Sequence, residues 1–219
     1  MIFVNLKTYA EGSGQRALDL VRTLEEVATA SQIKVIPVVQ ALDLKEAALV
    51  SKLEIWTQRI DPVAYGAHTG SILPEGVVED GAKGTFLNHS EEKFADFEKL
   101  SSAVERAHEV GLKTLVFASD MEELKRVLGL KPTFVAYEPP EFIGSTTTSV
   151  AEAAPEVIAQ AVEVARMAGV PLVVGAGIHS MADVKKSIEL GAVGIAVATD
   201  IVKAADPKKE LLDLMEGFK

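Results

Sequence analysis

Hydrophobic and polar positions along the chain follow two rhythms in alternation. Short runs rich in apolar, β-branched and aromatic residues recur at Ile2–Leu6, Ile33–Val39, Glu54–Gln58, Gly84–Asn88, Leu112–Phe117, Phe134–Tyr137, Leu172–Gly175 and Val193–Ala198, and each reads as a strand. Between them the apolar residues fall three and four apart, the spacing of a helix with one buried face. That spacing predicts helices over Gly14–Ala30, Glu92–Val110, Ser119–Leu128, Pro155–Ala168 and Met181–Leu190. Ser119-Asp120 and Ser149 signal helix starts, and Gly111, Gly129, Gly169 and Gly191 stand where periodicity stops.

Strands that are apolar on both faces and separated by helices pair in parallel under a helical cover. About eight such units close most simply as a (β/α)₈ barrel, of the α/β class, in one domain over residues 1–219. The other architecture is an open doubly wound sheet, but the first strand-to-helix turn lacks the spaced glycines of a dinucleotide site. No Pro-, Ser- or Gly-rich linker breaks the alternation.

Composition narrows the function. A formal net charge of -10 opposes nucleic-acid binding, which needs a basic footprint to displace counterions. A few local donors can still hold a small anion. Cysteine is absent, which removes disulfides and thiolate zinc sites. No stretch reaches the roughly 18 apolar residues of a membrane span, and the chain enters directly into Ile2-Phe3-Val4 without a basic leader. A cytoplasmic protein with neither membrane nor nucleic-acid partner is expected.

In a barrel of this kind, chemistry belongs to the loops that follow the strands. The segment Phe134–Ser145, FVAYEPPEFIGS, organises the rest. Pro139 and Pro140 stop the strand, since neither donates to a ladder, and leave Glu138 at its end. The long connection after them reads as a functional loop. Asn5 and Lys7 end the first strand on the same side by period-two alternation. The fourth strand ends in Asn88-His89-Ser90-Glu91. A helix starting there would disfavour protonation of His89 and leave it a neutral donor; His68, His108 and His179 read as exposed loop histidines. Small residues around Gly177 and at Ala198-Thr199, after the seventh and eighth strands, allow main-chain N–H groups to approach a phosphate. A carboxylate, an imidazole, an amide, an ammonium and a phosphate cradle together specify proton abstraction beside a carbonyl, with stabilisation where charge develops.

These motifs, in order and at four strand ends, resemble triosephosphate isomerase, in particular its compact archaeal-type branch. The correspondence covers essentially the whole chain: Asn5-Leu6-Lys7, Asn88-His89-Ser90-Glu91, Tyr137-Glu138-Pro139 through Ile143-Gly144, and the glycine-rich end of the seventh strand. The resemblance implies interconversion of dihydroxyacetone phosphate and glyceraldehyde 3-phosphate, without cofactor or metal. It implies Glu138 as base, His89 as electrophile, and Asn5 and Lys7 on the substrate oxygens. Glu91 would pair with Lys7, and Ile143, Gly144, Gly177, Ala198 and Thr199 would hold the phosphate. Asp61–Gly70 resembles the family's interdigitating loop, with Thr69 reaching a partner subunit near its Asn5 in a homodimer or homotetramer. Alternatives are a barrel kept as a weakly active or inactive binding protein, and another phosphate-binding barrel epimerase. The latter should show histidine metal ligands at several strand ends, and one is present.

The chain departs from the family pattern at three places. Glu92 and Lys93 follow Glu91 where arginine is usual, Ser145-Thr146 follow Gly144 in the lid, and Asp200 follows Thr199 where a small residue is usual. Asp200 either repels the phosphate or points away and caps a short helix beginning near Ile201.

Overall fold

The computed structural model describes residues 1–139, 154–175 and 177–219. Strands β1 (Ile2–Asn5), β2 (Val35–Val39), β3 (Trp56–Thr57), β4 (Gly84–Leu87), β5 (Lys113–Ala118), β6 (Phe134–Tyr137), β7 (Leu172–Val174) and β8 (Gly194–Val197) pair in sequence order, all parallel. β8 returns to β1, with Phe3 opposite Ala196, and closes the barrel. The helices in the described residues are α1 (Gln15–Ser31), α2 (Leu44–Val50), α3 (Pro74–Glu79), α4 (Phe97–Glu109), α5 (Met121–Leu128), α6 (Pro155–Met167), α7 (Met181–Glu189), α8 (Thr199–Val202) and α9 (Pro207–Met215).

Alternation along each strand divides the core in two. One set of side chains, including Val4, Val35, Val116, Val135 and Val174, packs outward under the helices. The other, Phe3, Ile36, Val38, Trp56, Phe86, Leu115, Phe117, Ala136 and Val173, fills the barrel. Its rings meet edge-on or tilted, with Phe3 5.1 Å from Trp56 and Phe86 4.9 Å from Phe117. Gly84 makes room for this filling, since a Cβ there would lie 2.3 Å from the Trp56 ring.

The helix between β4 and β5 is shorter than its periodicity predicts. Residues 92–96 stay out of α4 because the loop uses the backbone otherwise: Phe94 N–H donates to Asn88 Oδ1 at 3.4 Å, and Asp96, extended at φ -152°, caps the helix by accepting from Lys99 N–H. α2, α3 and α9 are missed by the sequence reading, and α8, expected to begin near Ile201, begins at Thr199. At the N-terminal end of the barrel, Glu54 accepts from Lys34 Nζ (2.6 Å), Lys113 Nζ (2.9 Å) and Trp56 Nε1 (3.0 Å). Burial alone would raise the Glu54 carboxyl, but these donors hold it down at about 2.

Candidate active site

β1 shows how alternation delivers side chains to the barrel mouth. Phe3 fills the interior, so Asn5 and then Lys7 continue its side. Lys7 adopts φ 48°, a left-handed conformation that costs a lysine roughly 1–3 kcal/mol unless its surroundings impose it. Here they do. Lys7 N–H donates to Asn5 Oδ1 at 3.0 Å, and Gln58 Nε2 donates to Lys7 O at 2.9 Å and reaches Asn5 Oδ1 at 3.3 Å. The Lys7 ammonium is thereby directed to Glu91 Oε1, 2.6 Å away. Gln58 is a site residue the sequence reading missed; it shares the parity of Trp56 one step beyond β3, and that signal would have found it.

Asn88, at φ 60° and buried, sets the direction of the loop after β4. Its Nδ2 donates to Phe117 O at 3.0 Å and to Glu123 Oε1 at 2.9 Å. Glu123 is desolvated, yet hydrogen bonds from Lys93, Ser119 and Asn88 keep it ionised, with its pKa lowered to about 2. His89 then lies edge-on to Phe117 with ring centroids 4.8 Å apart. Its Nδ1 accepts from Glu91 N–H at 3.2 Å. Burial lowers its pKa to about 4, with Glu91 opposing and Lys7 adding to the effect. At neutral pH the ring is therefore uncharged, with its proton on Nε2 as a donor. No helix begins directly after His89, so desolvation, rather than the expected helix dipole, keeps it neutral. The Glu91 carboxylate, 3.8 Å from Nδ1, is too far to hydrogen-bond it.

On β6, Ala136 faces the interior, and Glu138 follows with the same parity while its N–H continues the ladder to Ala118 O at 2.9 Å. The side chain is buried, and Oε2 accepts from Ser90 Oγ at 3.1 Å. Burial pushes the carboxyl up to about 7, against the Ser90 hydrogen bond and the Lys7 charge, with Glu91 raising it further. A desolvated carboxylate titrating near neutrality suits a general base. Asn5, Lys7, His89, Glu91 and Glu138 share one cleft of about 280 Å³ with Gly177, Ala198 and Thr199.

The family model for triosephosphate isomerase matches residues 1–217. This chain is 39% identical to the triosephosphate isomerase of Thermoplasma volcanium, over 98% of this chain and 99% of that protein. It is 38% identical to that of Metallosphaera sedula, over 99% and 95% of the two chains. It is also 39% identical to that of Methanobacterium bryantii, over 98% and 95%.

The chain belongs to the triosephosphate isomerase family.

Of the residues that the family resemblance assigns to the phosphate, Gly177, at φ 68°, Ala198 and Thr199 stand together in the cleft. Tyr9 hydroxyl holds Thr199 Oγ1 at 3.0 Å. Ile143, Gly144, Ser145 and Thr146 lie outside the described residues, as does the helix start expected at Ser149. Thr69 is exposed on its loop and does not line the cleft.

The departures acquire partners. Glu92 pairs with Arg59, whose guanidinium lies 3.4 Å from the carboxylate and 4.5 Å above the Phe94 ring, and Lys93 pairs with Glu123 at 2.8 Å. Asp200 does not cap a helix beginning near Ile201: α8 starts at Thr199 after the cap residue Ala198, and Asp200 lies within it. Its carboxylate instead meets His179 Nδ1 at 3.0 Å. His179 is thus no free loop histidine. His108, also expected in a loop, lies in α4, while His68 is exposed as expected.

Proposed function

We propose that this chain interconverts dihydroxyacetone phosphate and D-glyceraldehyde 3-phosphate through an enediolate, with Glu138 moving the proton. The observation that carries the reading is the pairing, in one cleft, of a buried carboxylate near its titration midpoint with a neutral imidazole whose Nε2–H is a donor. Ionised Glu138 takes the proton from the carbon beside the substrate carbonyl. Negative charge then grows on the oxygens, where the His89 Nε2–H and the Asn5 amide donate and Lys7 contributes positive charge. The hydroxyl proton passes from one substrate oxygen to the other by way of His89 Nε2, and Glu138 returns its proton to the neighbouring carbon. Glu91 holds the Lys7 ammonium in place.

The phosphate sits against the main chain of Gly177, Ala198 and Thr199, with Ile143 and Gly144 contributing from the lid. Binding energy from this remote group lowers the barrier at the reacting carbons. The scheme uses no cofactor and no metal. A homodimer or homotetramer is part of the reading: a hollow of about 650 Å³ beside the cleft, lined by Asn5, Lys7, Gln58 and Arg59 together with the exposed Leu42, offers a seat for a partner's Thr69 loop. A cytoplasmic location goes with a phosphorylated triose as substrate.

The test is a coupled assay of D-glyceraldehyde 3-phosphate isomerisation on purified protein treated with chelator. Full turnover, lost in Glu138→Gln, is expected. Absence of turnover in the wild-type chain would refute the proposal.

A further inference from the structure

We propose that Arg59 is a positioning residue of this chain: it fixes the turn that carries His89 and acts on the reaction through that imidazole. The inference rests on the role read for His89 above. Arg59 follows β3, and its guanidinium is anchored before it reaches the turn. Nε and Nη2 both lie 3.1 Å from Asp61 Oδ1. Asp61 is itself tied to Ile72 twice, since its N–H donates to Ile72 O at 2.9 Å and its Oδ2 accepts from Ile72 N–H at 2.8 Å. The neck of the 61–72 loop is thereby closed, and it gives the guanidinium a fixed base.

From that base Arg59 grips the backbone that closes the next loop. Glu92 N–H donates to His89 O at 2.9 Å, and Glu92 O accepts from Arg59 Nη1 at 3.2 Å. One residue thus shuts the turn with its N–H and receives the guanidinium on its C=O. Two residues on, the Phe94 ring lies 4.5 Å below the guanidinium carbon, and Phe94 N–H donates to Asn88 Oδ1, on the residue before His89. Glu123 holds the opposite flank, accepting from Asn88 Nδ2 at 2.9 Å and from Lys93 Nζ at 2.8 Å. The turn is therefore gripped by a cation from the β3 side and by an anion from the α5 side, and the adjacent, oppositely charged Glu92 and Lys93 each face their complement. Arg59 is not among the described residues lining the cleft, so its effect runs through the turn. Its fork to Asp61 and its stack on Phe94 need a planar guanidinium, which an ammonium does not reproduce.

The test is steady-state isomerisation of D-glyceraldehyde 3-phosphate by the full chain, at concentrations where each variant sediments as wild type does. Arg59→Gln is expected to lower kcat about ten- to a hundredfold, as for a catalytic group displaced by about 1 Å, with KM changed less than about threefold. Arg59→Lys should recover little, because charge without the fork and the stack does not place the turn. The deciding measurement is a double-mutant cycle: in a His89→Gln background, Arg59→Gln is expected to cost less than about threefold further, because the group it positions is gone. A general loosening of the barrel would instead multiply with the His89→Gln loss. Phe94→Leu gives a second cycle should Arg59→Gln fail to fold. It removes the stacked face, and Phe94 is not among the described residues lining the hollow read as a partner's seat. A smaller loss of kcat is expected from it, again absent when His89 is glutamine. Losses that multiply in these cycles, wild-type kcat in Arg59→Gln, or full recovery in Arg59→Lys overturn the proposal. An active wild type with a slow His89→Gln variant and any of those results refutes the Arg59 assignment alone. A wild type without turnover, or a His89→Gln variant as fast as wild type, refutes the reading of the site with it.

Discussion

Ser90 Oγ donates to Glu138 Oε2 across 3.1 Å, linking the loop after β4, which carries the imidazole, to the carboxylate after β6. The bond favours the ionised form against the burial that raises the Glu138 pKa to about 7. Ser90→Ala removes the opposing effect. A hydrogen bond to a charged acceptor contributes about 1.5 kcal/mol, or about one pH unit. The acidic limb of the pH profile of kcat/KM is therefore expected to move upward by up to that amount, and an unmoved limb would show that Ser90 does not tune the base.

Glu138→Gln separates function from stability. Turnover is expected to fall at least 10²- to 10⁴-fold, the usual contribution of a general base. The fold is expected to gain stability at pH 8. The folded pKa of about 7 lies above the reference value of 4.5, so the stabilisation from protonating Glu138 is present below about 4.5 and lost as pH rises through 7. Glutamine is neutral throughout and escapes that loss, which is at most about 3 kcal/mol. Thermal melts at pH 8 and pH 5 check this: the gain at pH 8 should shrink towards pH 5.

Asn88→Ala withdraws the donor to Phe117 O and Glu123 and places alanine at φ 60°. A destabilisation of about 2–4 kcal/mol is expected, combining an unsatisfied buried acceptor with backbone strain. The loss of kcat should follow displacement of His89. Asn88→Gly restores the backbone freedom and not the hydrogen bonds, so urea denaturation of both variants apportions the two costs.

At the other end of the barrel, Glu54→Gln is expected to leave kcat unchanged and to lower stability at pH 7 by about 1 kcal/mol. The value is modest because Lys34 and Lys113 are half exposed and screened. Glu54 has a depressed folded pKa of about 2, so its contribution is present above about 4.5 and lost as pH falls through 2. Denaturation series at pH 7 and pH 3 should show the difference between variant and wild type shrinking at the lower pH.

Thr69→Glu tests assembly. If the exposed loop seats in a second copy beside Asn5 and Lys7, a buried charge there should weaken association and lower activity together. Sedimentation velocity over a dilution series, with activity measured in parallel, decides it. A wild-type monomer with full activity would remove the partner from the reading.

The alternation of strand and helix periods was enough to read the parallel barrel, because β-branched runs buried on both faces have few other ways to satisfy their backbones. It also marked Asn5, Lys7, His89 and Glu138, since strand ends and side-chain parity are local properties. Tertiary structure decided what these groups are chemically. His89 is neutral because Phe117 and the barrel mouth desolvate it, though the sequence suggested an adjacent helix that begins only at Phe97. Glu138 titrates near neutrality for the same reason. Gln58 joins Asn5 and Lys7 from 51 to 53 positions away in the chain, and Asp200 finds His179 at a separation of 21. The sequence alone left Asp200 as either a repulsive charge or a helix cap, since a side chain's partner across a barrel mouth depends on strand order and loop path. Pairing of β7 with β8 sets the loops after them side by side and so supplies that partner.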